Sequence, residues 1–158
     1  MTPLTKDTSL TDSAATLRMA IVRTARVLRQ EAAAEAGGLT PTSTAALASV
    51  ERHGPLTPSE LAEIERVKRP TVTRTLGCLG REGLIERTPD PADGRSSLVS
   101  INGAGRERLR RLRGRKNAYL ARRMRDLPAG DVRTLERAAE ILDRMREGEQ
   151  RSGRGRSS

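Results

Sequence analysis

The chain is predicted to be mainly α-helical with one small β-hairpin. Of its 158 residues, 35% are hydrophobic and Tyr119 is the single aromatic, so the core must be built from Leu, Val, Ile, Ala and Met. Such a core favours packed helices over an aromatic-rich β-sandwich. Apolar side chains recur at helical spacing between clear Gly and Pro breaks, and only one pair of strand-like runs interrupts them. A length of about 150 residues is that of one ordinary domain.

From Ser13 to Ala36 the sequence is Ala-rich and free of Gly and Pro, with Leu17, Ile21, Ala25, Leu28 and Ala32 on one helical face. Gly37-Gly38 suits its C-cap. Thr40-Pro41 reads as an N-cap followed by Pro at the first helical position, opening a second helix that ends near His53, before Gly54-Pro55. The third helix, Thr57 to Glu65, has the clearest start. Thr57-Pro58-Ser59-Glu60 forms a capping box, and Leu56 with Leu61 occupies the positions of a hydrophobic staple.

After a short turn at Arg66-Val67, a fourth helix from Arg69 to about Glu82 places Val72, Leu76 and Leu79 on a narrow core stripe. Leu84–Thr88 and Ser97–Ile101 then read as two strands joined by a polar tip, a hairpin. Asn102 caps a fifth helix that runs to about Arg125. Leu135, Ala138, Leu142 and Met145 mark a sixth, from Asp131 to Glu147, with a seam suited to another helix. The segment from Gly148 has no apolar side chain to bury and is expected to be disordered.

Composition also excludes classes of function. One Cys (Cys78) and one His (His53) provide neither an internal disulfide nor a Cys/His metal centre, and no spaced carboxylate pair stands beside a nucleophile. No enzyme activity, metal or cofactor is expected. The start MTPLTKDTSL lacks a secretory apolar stretch, and no 18-residue apolar run is available to span a bilayer. A cytoplasmic protein with no membrane partner is the expectation.

Thirty Lys and Arg against 20 Asp and Glu give a net charge of +10, which attracts polyanions. Because 27 of those cations are Arg, codon composition is an alternative source of the excess, and its placement must decide. Residues 1–65 carry 6 basic and 8 acidic side chains, and residues 126–158 carry 7 of each. Residues 66–125 carry 17 basic and 5 acidic, a net +12, so a polyanion is expected to dock there. The run from Arg106 to Arg125 contributes to this block but reads equally well as the solvated face of a long helix.

Two short helices joined by a tight turn and followed by a hairpin have the order of a winged helix-turn-helix, whose second helix enters a major groove. Opposite the Val72–Leu76–Leu79 stripe, the fourth helix displays Pro70, Arg74, Gly77 and Arg81, flanked by Thr71 and Thr73. Arg74 can fork onto guanine O6 and N7, while the threonines offer hydroxyls and methyls. Gly77 either lets the backbone approach the duplex or is merely tolerated. At the hairpin tip Arg95 is placed to enter a minor groove, with Asp93 holding its guanidinium, unless the two form only a surface ion pair.

These residues resemble the MarR family of winged-helix transcription regulators. RPTVTRTLGCLGREGLIER (Arg69 to Arg87) is similar to that family's recognition helix and first wing strand, and DPADGR (Asp90 to Arg95) to its wing tip. LTPSELAE (Leu56 to Glu63) and LTPTSTAALASV (Leu39 to Val50) resemble the two preceding helices. The resemblance implies major-groove or phosphate contacts from Arg69, Pro70, Thr71, Thr73 and Arg74, a phosphate contact from Ser59, a minor-groove contact from Arg95, and Asp93 as its support. It further implies a winged helix-turn-helix domain over 39–101, a helical dimerisation region made by 1–38 and 102–147, and a tail at 148–158. The expected partners are double-stranded DNA, read as a pseudo-palindrome with half-sites about 34 Å apart, and a second copy of the chain. Family members often lose DNA affinity when a small anion binds between the dimer helices and the reading domain, or when a cysteine is oxidised.

Three positions depart from the family pattern. Arg66 stands where Gly is frequent, which implies backbone strain of about 1–2 kcal/mol in a left-handed turn. Lys68 replaces a Ser or Thr N-cap, losing a cap worth about 1 kcal/mol but adding a cation beside the phosphates. Cys78 lies in the recognition helix rather than the first helix, where sensing thiols sit, and reads as a reduced structural thiol. An effector pocket would have to use Tyr119, Arg side chains and aliphatics. The expected function is therefore that of a dimeric, sequence-specific regulator that represses by occluding a promoter and is released by a small effector. A basic protein that coats nucleic acid without reading sequence is the rival.

Overall fold

The computed structural model describes residues 4–154, with side-chain surroundings for 9–145. In chain order the elements are α1 (Leu4–Glu31), α2 (Ala33–Ala36), α3 (Pro41–His53), α4 (Pro58–Glu65), α5 (Arg69–Arg81), β1 (Ile85–Pro89), β2 (Ser97–Ile101), α6 (Gly103–Met124) and α7 (Ala129–Arg154). A mainly helical chain with one antiparallel hairpin is thus what forms.

The first helix starts well before Ser13. Nothing after Pro3 breaks it, and the Ser13 and Thr16 hydroxyls donate to the carbonyls of Ser9 and Asp12 at 2.9 and 3.0 Å, so these polar side chains are accommodated within the helix. Its other end is interrupted at Ala32, which is buried, before α2 ends at Gly37 in a left-handed conformation (φ 57°). Helix α7 continues to Arg154, past the Gly148 at which order is expected to end. Arg, Glu and Gln are good helix formers, so the backbone bonds can propagate through them. Residues 155–158 of that expected tail lie outside the described residues.

The chain divides into two compact units, Met1–Asn117 and Ala118–Ser158. Leu109 and Leu112 of α6 belong to the buried core of the first unit. Leu47, Val50, Leu61, Leu76, Leu79, Leu84 and Val99 are fully buried there, drawn from α3, α4, α5 and the hairpin. Each such aliphatic side chain contributes about 1.5–3 kcal/mol by leaving water.

In the hairpin, Ile85 pairs with Ile101 and Pro89 with Ser97. A third segment joins it: the Leu56 amide donates to the Val99 carbonyl at 3.1 Å, and the Val99 amide donates to that of Leu56 at 2.8 Å. This bridge fastens the hairpin to the residue before the α4 cap. Asn102 closes the other side, accepting from the Gly105 amide at 2.9 Å and donating to the Gly83 carbonyl at 2.9 Å.

At Gly105 the first turn of α6 presses against the strands so closely that a Cβ would collide with the Leu84 carbonyl oxygen and the Ile101 side chain. Around Gly80, within α5, a Cβ would meet nothing. Gly105→Ala should therefore lower stability by about 2 kcal/mol through overpacking. Gly80→Ala should raise it by about 1 kcal/mol through helix propensity. Urea denaturation midpoints moving in opposite directions for the two variants will show this.

Candidate nucleic-acid interface

Helix α4 is fixed at its start by the capping box that the sequence spells. The Glu60 amide donates to Thr57 Oγ1 at 3.2 Å, and the Thr57 amide donates back to Glu60 Oε2 at 2.7 Å. The Thr57 amide, and next the Thr57 hydroxyl, which donates to the same Oε2 at 2.9 Å, hold the Glu60 carboxyl below the usual carboxylate range. At the far end of α4, Ser49 on α3 donates a short hydrogen bond to Glu65.

Between α4 and α5 the chain turns through Arg66, which adopts the left-handed conformation (φ 53°, ψ 43°) otherwise favoured for glycine. Its amide and that of Val67 donate to the carbonyls of Glu63 and Ala62 at 3.2 and 3.0 Å, which closes the turn. Lys68 is the α5 N-cap in extended conformation and makes no side-chain cap bond, as expected from the missing Ser or Thr. Pro70 sits in the first turn, where no amide donor is required.

Helix α5 buries Val72, Thr75, Leu76 and Leu79, so the other face is turned outward. Lys68, Arg69, Pro70, Thr73, Arg74 and Arg81 are exposed, and Thr71 and Gly77 are half-buried. The Thr73 hydroxyl donates to the Arg69 carbonyl at 3.1 Å, which leaves it a methyl and an acceptor to offer a ligand, but no proton. Ser59 lies half-buried in the first turn of α4. Cys78 is a free thiol packed against the core, and His53 ends α3 in solvent.

The hairpin tip is stiffened by its aspartates. Asp90 Oδ1 accepts from the Ala92 amide at 2.9 Å and Asp93 Oδ1 from the Arg95 amide at 3.0 Å. Asp93 thus acts on the backbone of Arg95, not on its guanidinium as expected, because an aspartate two residues before an amide closes a local turn. The Arg95 side chain stands exposed.

Charge separates the two basic stretches. Among the described residues, Arg66, Lys68, Arg69, Arg74, Arg81, Arg87 and Arg95 form no ion pair. On α6, by contrast, every arginine from 106 to 115 has a partner. Arg106 donates to the Ile101 carbonyl and Arg108 to that of Ala36. Arg110 pairs with Glu107, Arg111 with Glu35 and Glu107, Arg113 with Glu51, and Arg115 with Glu35. In the second unit, Arg122 and Arg123 stack over Tyr119 at 5.7 and 5.5 Å. The Arg106 run is thus not simply the solvated face of a long helix: from Arg106 to Arg115 it is bonded within the chain.

A short helix held by a capping box, a tight turn, a second helix with a polar outer face and a pinned hairpin define a winged helix-turn-helix, the fold of a class of transcription regulators. The chain belongs to the MarR family. That family's model matches residues 39–97. An HTH-type transcriptional regulator of Mycobacterium bovis is 33% identical over 129 residues, covering 82% of this chain and 89% of that protein. The HTH-type transcriptional repressor MdtR of Bacillus subtilis is 34% identical over 88 residues, 56% of this chain and 57% of its own. A solved structure of a putative transcriptional regulator from Pseudomonas aeruginosa superposes with a TM-score of 0.78 at 32% identity, covering 90% of this chain and 97% of that one. No helix among the described residues is long and apolar enough to cross a membrane.

Because the folded-state pKa of Glu60 is depressed, the capping box adds stability above the unfolded carboxylate value and loses it as pH falls through the lowered one. In a carboxyl NMR titration, Thr57→Ala should move the Glu60 midpoint only part of the way towards the ordinary carboxylate range, because the backbone amide of residue 57, the larger cause, is kept. It should also cost about 1 kcal/mol of stability at neutral pH.

Proposed function

We propose that this MarR-family regulator binds double-stranded DNA sequence-specifically as a homodimer, represses by occluding a promoter, and is released by a small anionic effector. The observation that carries the reading is the segregation of charge. The cations of α5 and the wing are unpaired, whereas those of α6 from Arg106 to Arg115 are held within the chain. A polyanion therefore finds its free partners at Lys68, Arg69, Arg74 and Arg95, with Pro70, Thr71 and Thr73 beside them and Ser59 at the start of α4.

In this reading α5 lies in a major groove about 12 Å wide, and Arg74 forks onto a guanine. Arg95, on a tip stiffened by Asp93, enters the adjoining minor groove. The same segregation weighs against a protein that merely coats nucleic acid, since most of the long arginine run that motivates that reading is internally paired.

Dimerisation is supported by exposed apolar stripes on the terminal helices, Leu17, Ile21 and Val22 on α1 and Leu135, Ile141 and Met145 on α7. Exposed apolar faces of this kind are normally covered by a partner. Repression accords with the repressor named among the relatives. Release by an effector is supported by a cavity of about 660 Å³ in the first unit, within the usual range for small-molecule sites. Leu28, Leu39 and Leu112 supply apolar walls, and Arg29 and Lys116 supply cations for an anion. Tyr119, an expected lining residue, is not among those that line it. These features of the chain are compatible with a cytoplasmic protein acting on the chromosome.

Selection of a duplex from a randomised pool, followed by competition with bulk DNA, tests the reading. The selected duplex should bind at least about 10³-fold more tightly than bulk DNA at physiological salt. Arg74→Ala should relax preference at one base pair by about 1–3 kcal/mol. Arg95→Ala should reduce the salt slope by about one. Equal loss on all sequences with Arg74→Ala would favour the coating protein.

A further inference from the structure

Two helix C-termini converge on one guanidinium. Arg108, on the second turn of α6, has a side chain only 18% exposed. Its Nη1 donates to the carbonyl of Ala36, the last residue of α2, at 2.9 Å. Its Nη2 lies 4.0 Å from the carboxylate of Glu82, the C-cap of α5. The carbonyl end of a helix is the negative end of its dipole, so the cation suits α2, whereas an acidic side chain at the end of α5 has the unfavourable sign unless a cation stands beside it.

The surroundings are shaped for this group. Gly37 adopts a positive φ of 57°, and the place its Cβ would take is filled by the Arg108 guanidinium. One residue beyond Glu82, the Gly83 carbonyl is held by the Asn102 side chain at the start of α6. The end of α5 is therefore hydrogen-bonded to α6 through Gly83 and Asn102, and its Glu82 carboxylate lies within charge-pair reach of Arg108, which also bonds to the helical arm made by α1 and α2.

We propose that Arg108 is a positioning residue for DNA reading, tying the end of α5 to the end of α2 so that the exposed face of α5 is presented at one fixed angle. A guanidinium can do this because its donors lie in a rigid planar fork, and fixing one nitrogen on Ala36 directs the other at Glu82. A lysine ammonium on a flexible stem has no such fork. The inference rests on the DNA-reading function proposed above. Arg108 itself is turned into the subunit, its guanidinium committed to Ala36 and Glu82.

Charge alone and positioning make opposite demands on Glu82. If only long-range attraction mattered, Arg108→Gln would weaken DNA binding and Glu82→Gln, which removes a negative charge, would strengthen it. Under the positioning account both variants weaken binding to the selected duplex by about fivefold or more, while binding to bulk DNA stays within about twofold. Arg108→Lys should fall with Arg108→Gln, and the double variant should be no worse than Arg108→Gln alone, because both substitutions break one link.

The experiment measures affinities of the full chain for a duplex it selects from a randomised pool and for bulk DNA, with urea midpoints recorded on the same samples. Glu82→Gln alters a partly exposed side chain and keeps the test open should an Arg108 variant fold poorly. Tighter binding by Glu82→Gln, multiplying losses in the double variant, or unmodified affinity in Arg108→Lys would overturn the proposal while leaving the DNA-reading function standing. If the unmodified chain selects no duplex, that function fails and this inference fails with it.

Discussion

The pairing of the α6 arginines with carboxylates on other helices is the interaction on which the rest of the arrangement depends. Glu35 of α2 is shared by Arg111 and Arg115, and Glu51 of α3 takes Arg113 at 2.6 Å. Exposed pairs of this kind contribute at most about 1 kcal/mol each, so their main effect is on where charge is left over rather than on how firmly the chain folds. A segment with a net charge of +12 is thereby divided into a part that is satisfied internally and a part that is not. The unsatisfied part includes the cations of α5 and the wing.

What remains free is also held still. The start of α4 is fixed by the Thr57–Glu60 box, the turn into α5 is closed by bonds to Ala62 and Glu63, and the wing tip is stiffened by Asp90 and Asp93. Beneath these devices, Leu61, Leu76, Leu79 and Val99 join the two helices and the hairpin to one buried core. The backbone that carries such a cation has little freedom left to lose when the side chain meets a phosphate or a base edge, which favours discrimination over mere attraction.

Local signals made much of this legible in the sequence. The capping box, the proline at the start of each short helix, the Val72–Leu76–Leu79 stripe and the DPADGR tip each act over a few residues, and each forms where the sequence indicates. Features that join distant residues were not legible. The Leu56–Val99 bridge, the Arg113–Glu51 and Arg115–Glu35 pairs, and the Arg108 link to Ala36 span 43 to 80 positions, and no spacing rule connects them. Gly105 carries no pattern that announces a close approach, and Asp93 offers the same formula whether it holds a backbone amide or a guanidinium. The early start of α1 was hidden because polar residues there continue the helix without an apolar stripe.

The most direct measurement is photo-crosslinking of the chain to a selected duplex carrying 5-iodouracil throughout one half-site, with the attached peptides identified by mass spectrometry. Crosslinks confined to peptides from Lys68 to Arg81 and from Asp90 to Arg95 are the predicted result. Crosslinks concentrated on α6 between Arg106 and Lys116 would contradict it, since those arginines would then have released their carboxylates to bind the nucleic acid.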